Sequence, residues 1–194
     1  MPEYPQIYLA SNSPRRQELL YQMGVSFTVV PQFIEEEHKL NESPEDFVTR
    51  LALEKAGDGL QRQSNQQIPV LGSDTAVVLD GQILGKPEFR EQAIEMLLSL
   101  SDCTHQVMTA VALKNEQKTE VTISISQVSF AKLSKEMCEN YWQTGEPADK
   151  AGSYGIQGKG ALFISRLSGS YSGVMGLPIY ETSKLLNRFG IKLL

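Results

Sequence analysis

The stretch Ile7-Tyr8-Leu9-Ala10-Ser11-Asn12-Ser13-Pro14-Arg15-Arg16 passes from an apolar strand directly into the start of a helix. Ile7 to Ala10 is the short apolar run of a buried strand. Ser13 suits the N-cap position and Pro14 the first helical position, where its missing N–H would have no partner anyway. Leu19, Leu20 and Met23 follow at helical spacing. The first turn carries two arginines, however, where the helix dipole favours acids. Another helix start, Ser43-Pro44-Glu45-Asp46, has acids in that place. A bound anion would remove the penalty at the first helix, because free N–H groups, the dipole and two guanidinium forks would face the same phosphate. The alternative is a surface Arg pair salt-bridged to nearby acids.

Strands and helices go on alternating along the chain. The pattern predicts a strand over residues 6–11, a helix over 14–23, a strand over 26–31 and a helix over 44–60. A strand over 69–79 turns at Asp80-Gly81, a strong hairpin signal. Pro87 is expected to open a helix with an apolar stripe at Ala93, Ile94, Leu97 and Leu98. Two long strands, 105–113 and 119–131, flank the polar loop Lys114 to Lys118. The second alternates at Val121, Ile123 and Ile125, then changes phase at Val128 and Phe130, which predicts a bulge. Ser134 caps a helix holding Met137, Cys138, Tyr141 and Trp142, which stops at Gly145. Pro178 starts a last helix that packs through Leu185, Leu186 and Phe189. No Pro/Ser-rich linker divides the chain. Residues 1–194 therefore read as one α/β domain with a mixed sheet, pinched into two lobes.

Composition narrows the function. The chain has 194 residues, 41% of them hydrophobic, enough for one packed core. A net charge of −5 argues against a general nucleic-acid binder, whereas a small polyphosphate needs only a local basic pocket. Cys103 and Cys138 lie far apart in no metal or redox motif and read as reduced thiols of a cytoplasmic protein. Met1-Pro2-Glu3-Tyr4-Pro5 does not resemble a leader peptide, and no apolar run approaches membrane-spanning length. With only His38 and His105 present, a His-rich zinc site is excluded and histidine catalysis is poorly supported. Carboxylates would do the acid–base work, with a hard cation such as Mg²⁺ or Mn²⁺.

Five features could carry chemistry. Asp74, in Gly72-Ser73-Asp74-Thr75, shares a strand face with Val70 and Val78. Burial there demands a metal or lysine partner, and a carboxylate so held can activate water; the plainer reading is a strand-end Asp capping a loop. Lys55 extends the stripe of Phe47 and Leu51, so it either snorkels out or enters a cleft. Lys86 would fall on the face opposite Asp74 in ideal hairpin pairing, unless the strand ends early or bulges at Gly85; locally it reads as an exposed lysine. Glu35-Glu36-Glu37 is a solvated acidic run or the source of one metal ligand. Gly155-Ile156-Gln157-Gly158 offers flexible backbone and one amide. No P-loop or G-x-G-x-x-G stands at a helix start.

Taken together, Leu9-Ala10-Ser11-Asn12-Ser13-Pro14-Arg15-Arg16, Gly72-Ser73-Asp74-Thr75, Gly85-Lys86-Pro87 and Ala151-Gly152-Ser153-Tyr154-Gly155-Ile156-Gln157-Gly158 resemble the Maf family. The likeness includes the Gly176-Leu177-Pro178 entry to the last helix. The resemblance implies a Maf/ITPase-like α/β fold, with a mixed central sheet flanked by helices and two lobes around a nucleotide-binding cleft. It implies a cytoplasmic nucleoside triphosphate pyrophosphatase that needs a divalent cation and leaves a nucleoside monophosphate. By position, Asp74 matches the family's catalytic acid and proton acceptor. Ser11, Arg15, Arg16, Lys55 and Lys86 match its polar and cationic cleft residues, which reverses the plain readings of both lysines. Glu36 matches an acidic cleft position and joins Asp74 as a metal-ligand candidate.

Three positions separate the family's subgroups. Here they are Arg15, Thr75 and Gln157, the set that looks like the dTTP/UTP pyrophosphatases; the 7-methyl-GTP subgroup has Trp, Gln and Glu. A glutamine amide both donates and accepts, which suits O4 and N3–H of uracil or thymine, whereas a glutamate accepts only. The family is also named for septum-formation inhibition, so a nucleotide-binding regulator of cell division without turnover is the rival reading. A pyrophosphatase for other modified nucleotides is the second. The oligomeric state stays open, with a homodimer among the alternatives.

Overall fold

A computed structural model describes residues 5–194 of the chain. Only Pro5 of the opening pentapeptide falls within them, so the reading of that segment lies outside the described residues. β1 (Ile7–Leu9), α1 (Pro14–Gln22) and β2 (Phe27–Val29) make a parallel crossover, and α2 (Pro44–Gln61) leads back to β3 (Val70–Leu79), parallel to β1 on its other side. The remaining pairings are antiparallel, through β4 (Gln82–Leu84), β5 (Thr104–Lys114), β6 (Thr119–Phe130) and β7 (Ile164–Ser168). The result is a mixed seven-stranded sheet in the order β2-β1-β3-β5-β6-β7, with β4 beside β3. Helices α3 (Arg90–Leu100), α4 (Lys135–Trp142), α5 (Tyr171–Met175) and α6 (Ile179–Arg188) complete the expected α/β architecture.

Strand alternation decides which helix lies on which face. Ala76 and Val78 of β3 point to α2, where Phe47, Val48, Leu51, Ala52 and Ala56 cover them together with Met108, Ala110 and Ala112 of β5. Gly72 allows this close approach, since a Cβ there would collide with the Ala52 carbonyl and stand 2.6 Å from the Ala56 nitrogen. The opposite face splits in two. At one end Leu71, Val111 and Leu113 pack with Leu19, Leu20, Leu185 and Leu186. At the other, Val77, Val107, Val128 and Phe130 pack with Ile94, Leu97, Leu100, Cys138 and Tyr141. Between the clusters runs a polar seam, Ser73 and Thr75 of β3, Thr109 of β5, and Ser124 and Ser126 of β6. Among these Ser73, Thr109, Ser124 and Ser126 are buried.

The seam also corrects the bulge expected between Ile125 and Val128. β5 and β6 stay in register from Thr104↔Ser129 to Lys114↔Thr119. The phase changes because Ser124 and Ser126 lie on the same face as Val128 and Phe130, under α5. Small residues let α5 sit close, and a Cβ at Gly169 (φ +130°) would stand 2.6 Å from Ser126 Oγ. A register shift does occur at Ser129/Phe130, but against β7. Pro87 does not open α3. Phe89 holds the N-cap position, and the Gln92 side chain accepts from the Glu88 N–H at 2.6 Å. The buried stripe of α3 is Ala93, Ile94, Leu97 and Leu100, while Leu98 is 37% exposed. Ser134 caps α4 by accepting from the Met137 N–H at 3.2 Å, and Leu185 and Leu186 are buried as expected. The sequence reading overlooked β7, α5 and the 3₁₀ turns at Glu146–Asp149, Ala151–Ser153 and Lys159–Phe163.

Candidate functional site

The cleft arises from a gap in one edge of β3. β1 pairs with that edge only at Val70 and Leu71, and β4 only from Val77 onward. Gly72 to Ala76 therefore have no strand beside them on that edge, although β5 pairs them on the other. Asp74 sits in the middle of the gap. The cleft there has a volume of about 380 Å³ and is lined by Ser11, Arg15, Arg16, Glu36, Lys55, Asp74, Thr75, Lys86 and Gln157. All nine residues singled out from the sequence thus meet in one place.

On the α2 side, Lys55 enters the cleft and does not snorkel. It is 4% exposed, and its Nζ lies 2.7 Å from Asp74 Oδ1 and 2.6 Å from Glu36 Oε1. Helix geometry carries it there, because Lys55 sits one turn beyond Leu51 on the face that Gly72 lets close to the sheet. Burial raises the Asp74 pKa above the ordinary carboxylate value, more than Lys55 and Arg16 lower it, and Glu36 adds to the rise. Glu36 goes the other way. Burial works against its charge, but Lys55, Lys86 and Arg16 together hold its pKa below normal. The two acids thus behave differently beside one ammonium.

Lys86 reaches the same cleft because β4 ends at Leu84, the early strand end that the hairpin register required. The Gly85 carbonyl accepts from the Gly152 N–H at 3.0 Å, which ties the hairpin exit to the 3₁₀ turns. On the α1 side the arginines divide. Arg15 faces Asp149 across the cleft at 3.7 Å, so the salt-bridge alternative holds for it. Arg16 instead donates to neutral oxygens: Nε to the Gly176 carbonyl at 2.9 Å, Nη1 to Ser11 Oγ at 3.1 Å and Nη2 to Thr75 Oγ1 at 3.3 Å. Burial pulls its pKa down, opposed by Asp74 and Glu36. Ser13 makes no side-chain cap bond, so its hydroxyl leaves the first N–H groups of α1 uncapped.

Thr75 is committed as well. Thr109 Oγ1 donates to the Gly173 carbonyl at 2.7 Å, so Thr75 must supply the proton of the 2.9 Å bond between the two hydroxyls. Arg16, Thr75, Thr109 and Gly173 therefore form one directed chain across the polar seam. Thr109 and the Gly176 carbonyl are site components that the sequence reading overlooked; the signal was a threonine facing Thr75 in the neighbouring strand. His105 stands behind the cleft. Its Nε2 is 2.8 Å from Tyr154 Oη, and burial drops its pKa to about 4, so it stays neutral. Gln157 is exposed on the rim.

Two acids fit a hard cation only in part. Among the described residues no three His, Cys, Asp or Glu side chains come together as a metal cage. Lys55 takes one oxygen of each acid, Asp74 Oδ1 and Glu36 Oε1, which leaves Oδ2 and Oε2 to turn toward a cation. Mg²⁺ is commonly held by one or two carboxylates with substrate phosphates supplying the rest, and this donor set fits that pattern.

The fold and the site define an α/β protein with a cleft of about 380 Å³, a buried acid at its base, a second, part-exposed acid beside it and cations on both walls. The chain belongs to the Maf family, and residues 6–189 match Maf-like protein. A relative from Alkalilimnicola ehrlichii named dTTP/UTP pyrophosphatase is 52% identical over 195 residues, covering 98% of this chain and 96% of that protein. Proteins of the same name from Aliivibrio fischeri (51% identical, 95% of this chain, 98% of that one) and Shigella dysenteriae (50%, 94% and 92%) are similar to nearly the same extent. Among solved structures, the Ham1 protein of Staphylococcus aureus superposes with a TM-score of 0.47 at 17% identity, over 64% of this chain and 71% of that one. So distant a likeness carries no weight for function.

Proposed function

We propose that this chain hydrolyses nucleoside triphosphates, with dTTP and UTP preferred, to the monophosphate and pyrophosphate. The names of relatives at half identity support the substrate. The observation that carries the chemistry is Asp74, a buried carboxylate of raised pKa held by Lys55 at 2.7 Å in the β3 gap. A base needs a pKa nearer to neutrality than an ordinary aspartate has, and burial moves Asp74 in that direction.

In this mechanism Asp74 orients a water molecule and accepts its proton as the oxygen attacks the α-phosphorus. The bond from that phosphorus to the bridging oxygen breaks, and pyrophosphate leaves. Arg15, Arg16, Lys55 and Lys86 hold the triphosphate, and the cations together with the α1 N-terminus stabilise the charge that grows on the leaving oxygen. Ser11 keeps Arg16 in place. A divalent cation such as Mg²⁺ or Mn²⁺ would be held by Asp74 and Glu36 and would supply Lewis acidity there.

Gln157 reads the pyrimidine edge in this proposal, since it lines the cleft, is exposed, and its amide pairs with no other side chain among the described residues. Thr75 contributes by fixing Arg16, because its own proton is already given to Thr109. Residues 1–194 act as one cytoplasmic domain on free nucleotides, consistent with a cleft sized for one nucleotide. No helix among the described residues is long and apolar enough to cross a membrane. The test is to incubate the purified chain with Mg²⁺ or Mn²⁺ and a panel of triphosphates, assaying pyrophosphate and free phosphate separately. Pyrophosphate from dTTP and UTP is expected. Binding without turnover would support the regulator, and preference for another base would move the substrate class.

A further inference from the structure

The loop that carries Gln157 is wrapped around a carboxylate that the mechanism leaves unused. Glu146 Oε2 accepts from the Lys159 N–H at 2.8 Å, and Oε1 from the Gly160 N–H at 3.1 Å and the Tyr141 hydroxyl at 2.6 Å. That hydroxyl in turn accepts from the Gly155 N–H at 3.1 Å. Donors on both sides of Gln157 are thus tied to one acid and its tyrosine. The glycines are there to admit them. A Cβ at Gly158 would collide with the Glu146 carboxylate, and one at Gly160 would stand 2.7 Å from both Tyr141 Oη and the Gly155 carbonyl. On the inner side, Tyr154 is pinned by His105 at 2.8 Å. Tyr141 itself is held in the apolar cluster that α3 and α4 share, with its ring 5.0 Å from that of Phe163.

We propose that Glu146, acting with Tyr141, is a positioning residue for base selection. It holds the 155–160 loop so that the Gln157 amide meets the pyrimidine edge at a fixed distance and angle. This rests on the reading of Gln157 as the base reader. Glu146 is not among the residues that line the cleft, and among the described residues its carboxylate bonds only to Tyr141, Lys159 and Gly160, so its influence falls on which base is accepted and not on the bond that breaks. Glutamine at this position is nearly isosteric but offers one acceptor oxygen in place of two, so Lys159 N–H or Gly160 N–H faces an NH₂ group and the loop shifts.

UTP and CTP are the right probes, because they differ only at position 4 and N3. Four forms are compared in kcat and KM for both: the parent, Glu146→Gln, Gln157→Ala and the double variant. Glu146→Gln is expected to lower the UTP-to-CTP ratio of kcat/KM by about tenfold, through KM, with kcat for UTP within about twofold of the parent. The double variant is expected to be no less selective than Gln157→Ala alone, because Glu146 works through that amide. If Gln157→Ala lowers the ratio while Glu146→Gln leaves it alone, or if the two losses add, the positioning role is wrong. If Gln157→Ala itself leaves the ratio unchanged, the base-reading assignment fails, and that result is read independently of Glu146. Should Glu146→Gln not fold, Tyr141→Phe, which removes only the hydroxyl, carries the same test with a smaller shift in the same direction.

Discussion

Lys55 Nζ lies 2.7 Å from Asp74 Oδ1, inside a site where both side chains are nearly shielded from solvent. The pairing explains how a strand in the middle of the sheet can hold an ionisable acid at all. It also sets a balance. Burial pushes the Asp74 pKa up, and the ammonium limits how far it goes. Lys55 is shared with Glu36, so the same cation organises both acids.

Removing that cation should show in the pH dependence. Lys55→Met is expected to raise the Asp74 pKa further, since it deletes a charge that favours the carboxylate. The acid limb of the kcat/KM profile should therefore move to higher pH, with activity at neutral pH falling by about 10²-fold or more. A profile measured from pH 4 to pH 9 checks this, and an unmoved limb would separate Lys55 from the base.

Asp74→Asn should abolish pyrophosphate release while the fold survives. Stability gives an independent reading. The folded pKa of Asp74 lies above its ordinary 3.8. The folded chain therefore binds this proton more tightly than the unfolded one. The stability so contributed is complete below the unfolded value and is lost as pH rises through the folded value. Asparagine never ionises, so the variant is expected to melt at or above the parent temperature at neutral pH, and to lose that advantage in acid. Melting curves at pH 7 and pH 4 make the comparison.

The two arginines of α1 should separate structural from catalytic effects. Arg15 has one long contact, to an exposed acid, and Arg15→Ala is expected to change stability by less than about 1 kcal/mol while slowing turnover. Arg16 donates three hydrogen bonds that join Ser11, Thr75 and Gly176. Arg16→Ala should cost about 1–3 kcal/mol as well as activity, because the Thr75 hydroxyl loses its donor and the Gly176 carbonyl keeps only that of Ser73 Oγ. Thermal melts alongside steady-state kinetics distinguish the two.

Chelation should stop turnover but leave the melting temperature of the nucleotide-free protein almost unchanged. Among the described residues only two carboxylates, Asp74 and Glu36, share Lys55, so a cation held there would depend on phosphate oxygens for the rest of its shell. Calorimetric titration of Mg²⁺ is expected to show weak binding without nucleotide and tighter binding with a non-hydrolysable triphosphate analogue. Tight binding to the free protein would point to a cage that the two acids do not make.

Much of this site was legible in the chain because its cues are local. Ser13-Pro14 marks a helix start from backbone chemistry alone, and two arginines in that first turn leave a bound anion and a surface salt bridge as the two readings, of which Arg15 shows the second. Asp80-Gly81 marks a turn because both residues adopt positive φ, +49° and +80°. Lys55 could be placed on the buried stripe by counting from Phe47 and Leu51. Lys86 was different: its position depended on whether β4 ended at Leu84, which no local preference decides. Thr109, the Gly176 carbonyl and Glu146 were missed because each matters only through a residue remote in sequence.

The sequence by itself determined the alternation of strands and helices, the charge signature at the start of α1 and the kinds of side chain available for phosphate chemistry. These follow from backbone geometry and side-chain chemistry within a few residues. Only the tertiary structure decided that Lys55 lies between Asp74 and Glu36, and that Arg15 and Arg16 have different partners. It also decided that Thr75 gives its proton to Thr109. Those outcomes depend on how closely α2 and α5 approach the sheet, and on where β1 and β4 leave the edge of β3 open. Packing of distant segments sets both.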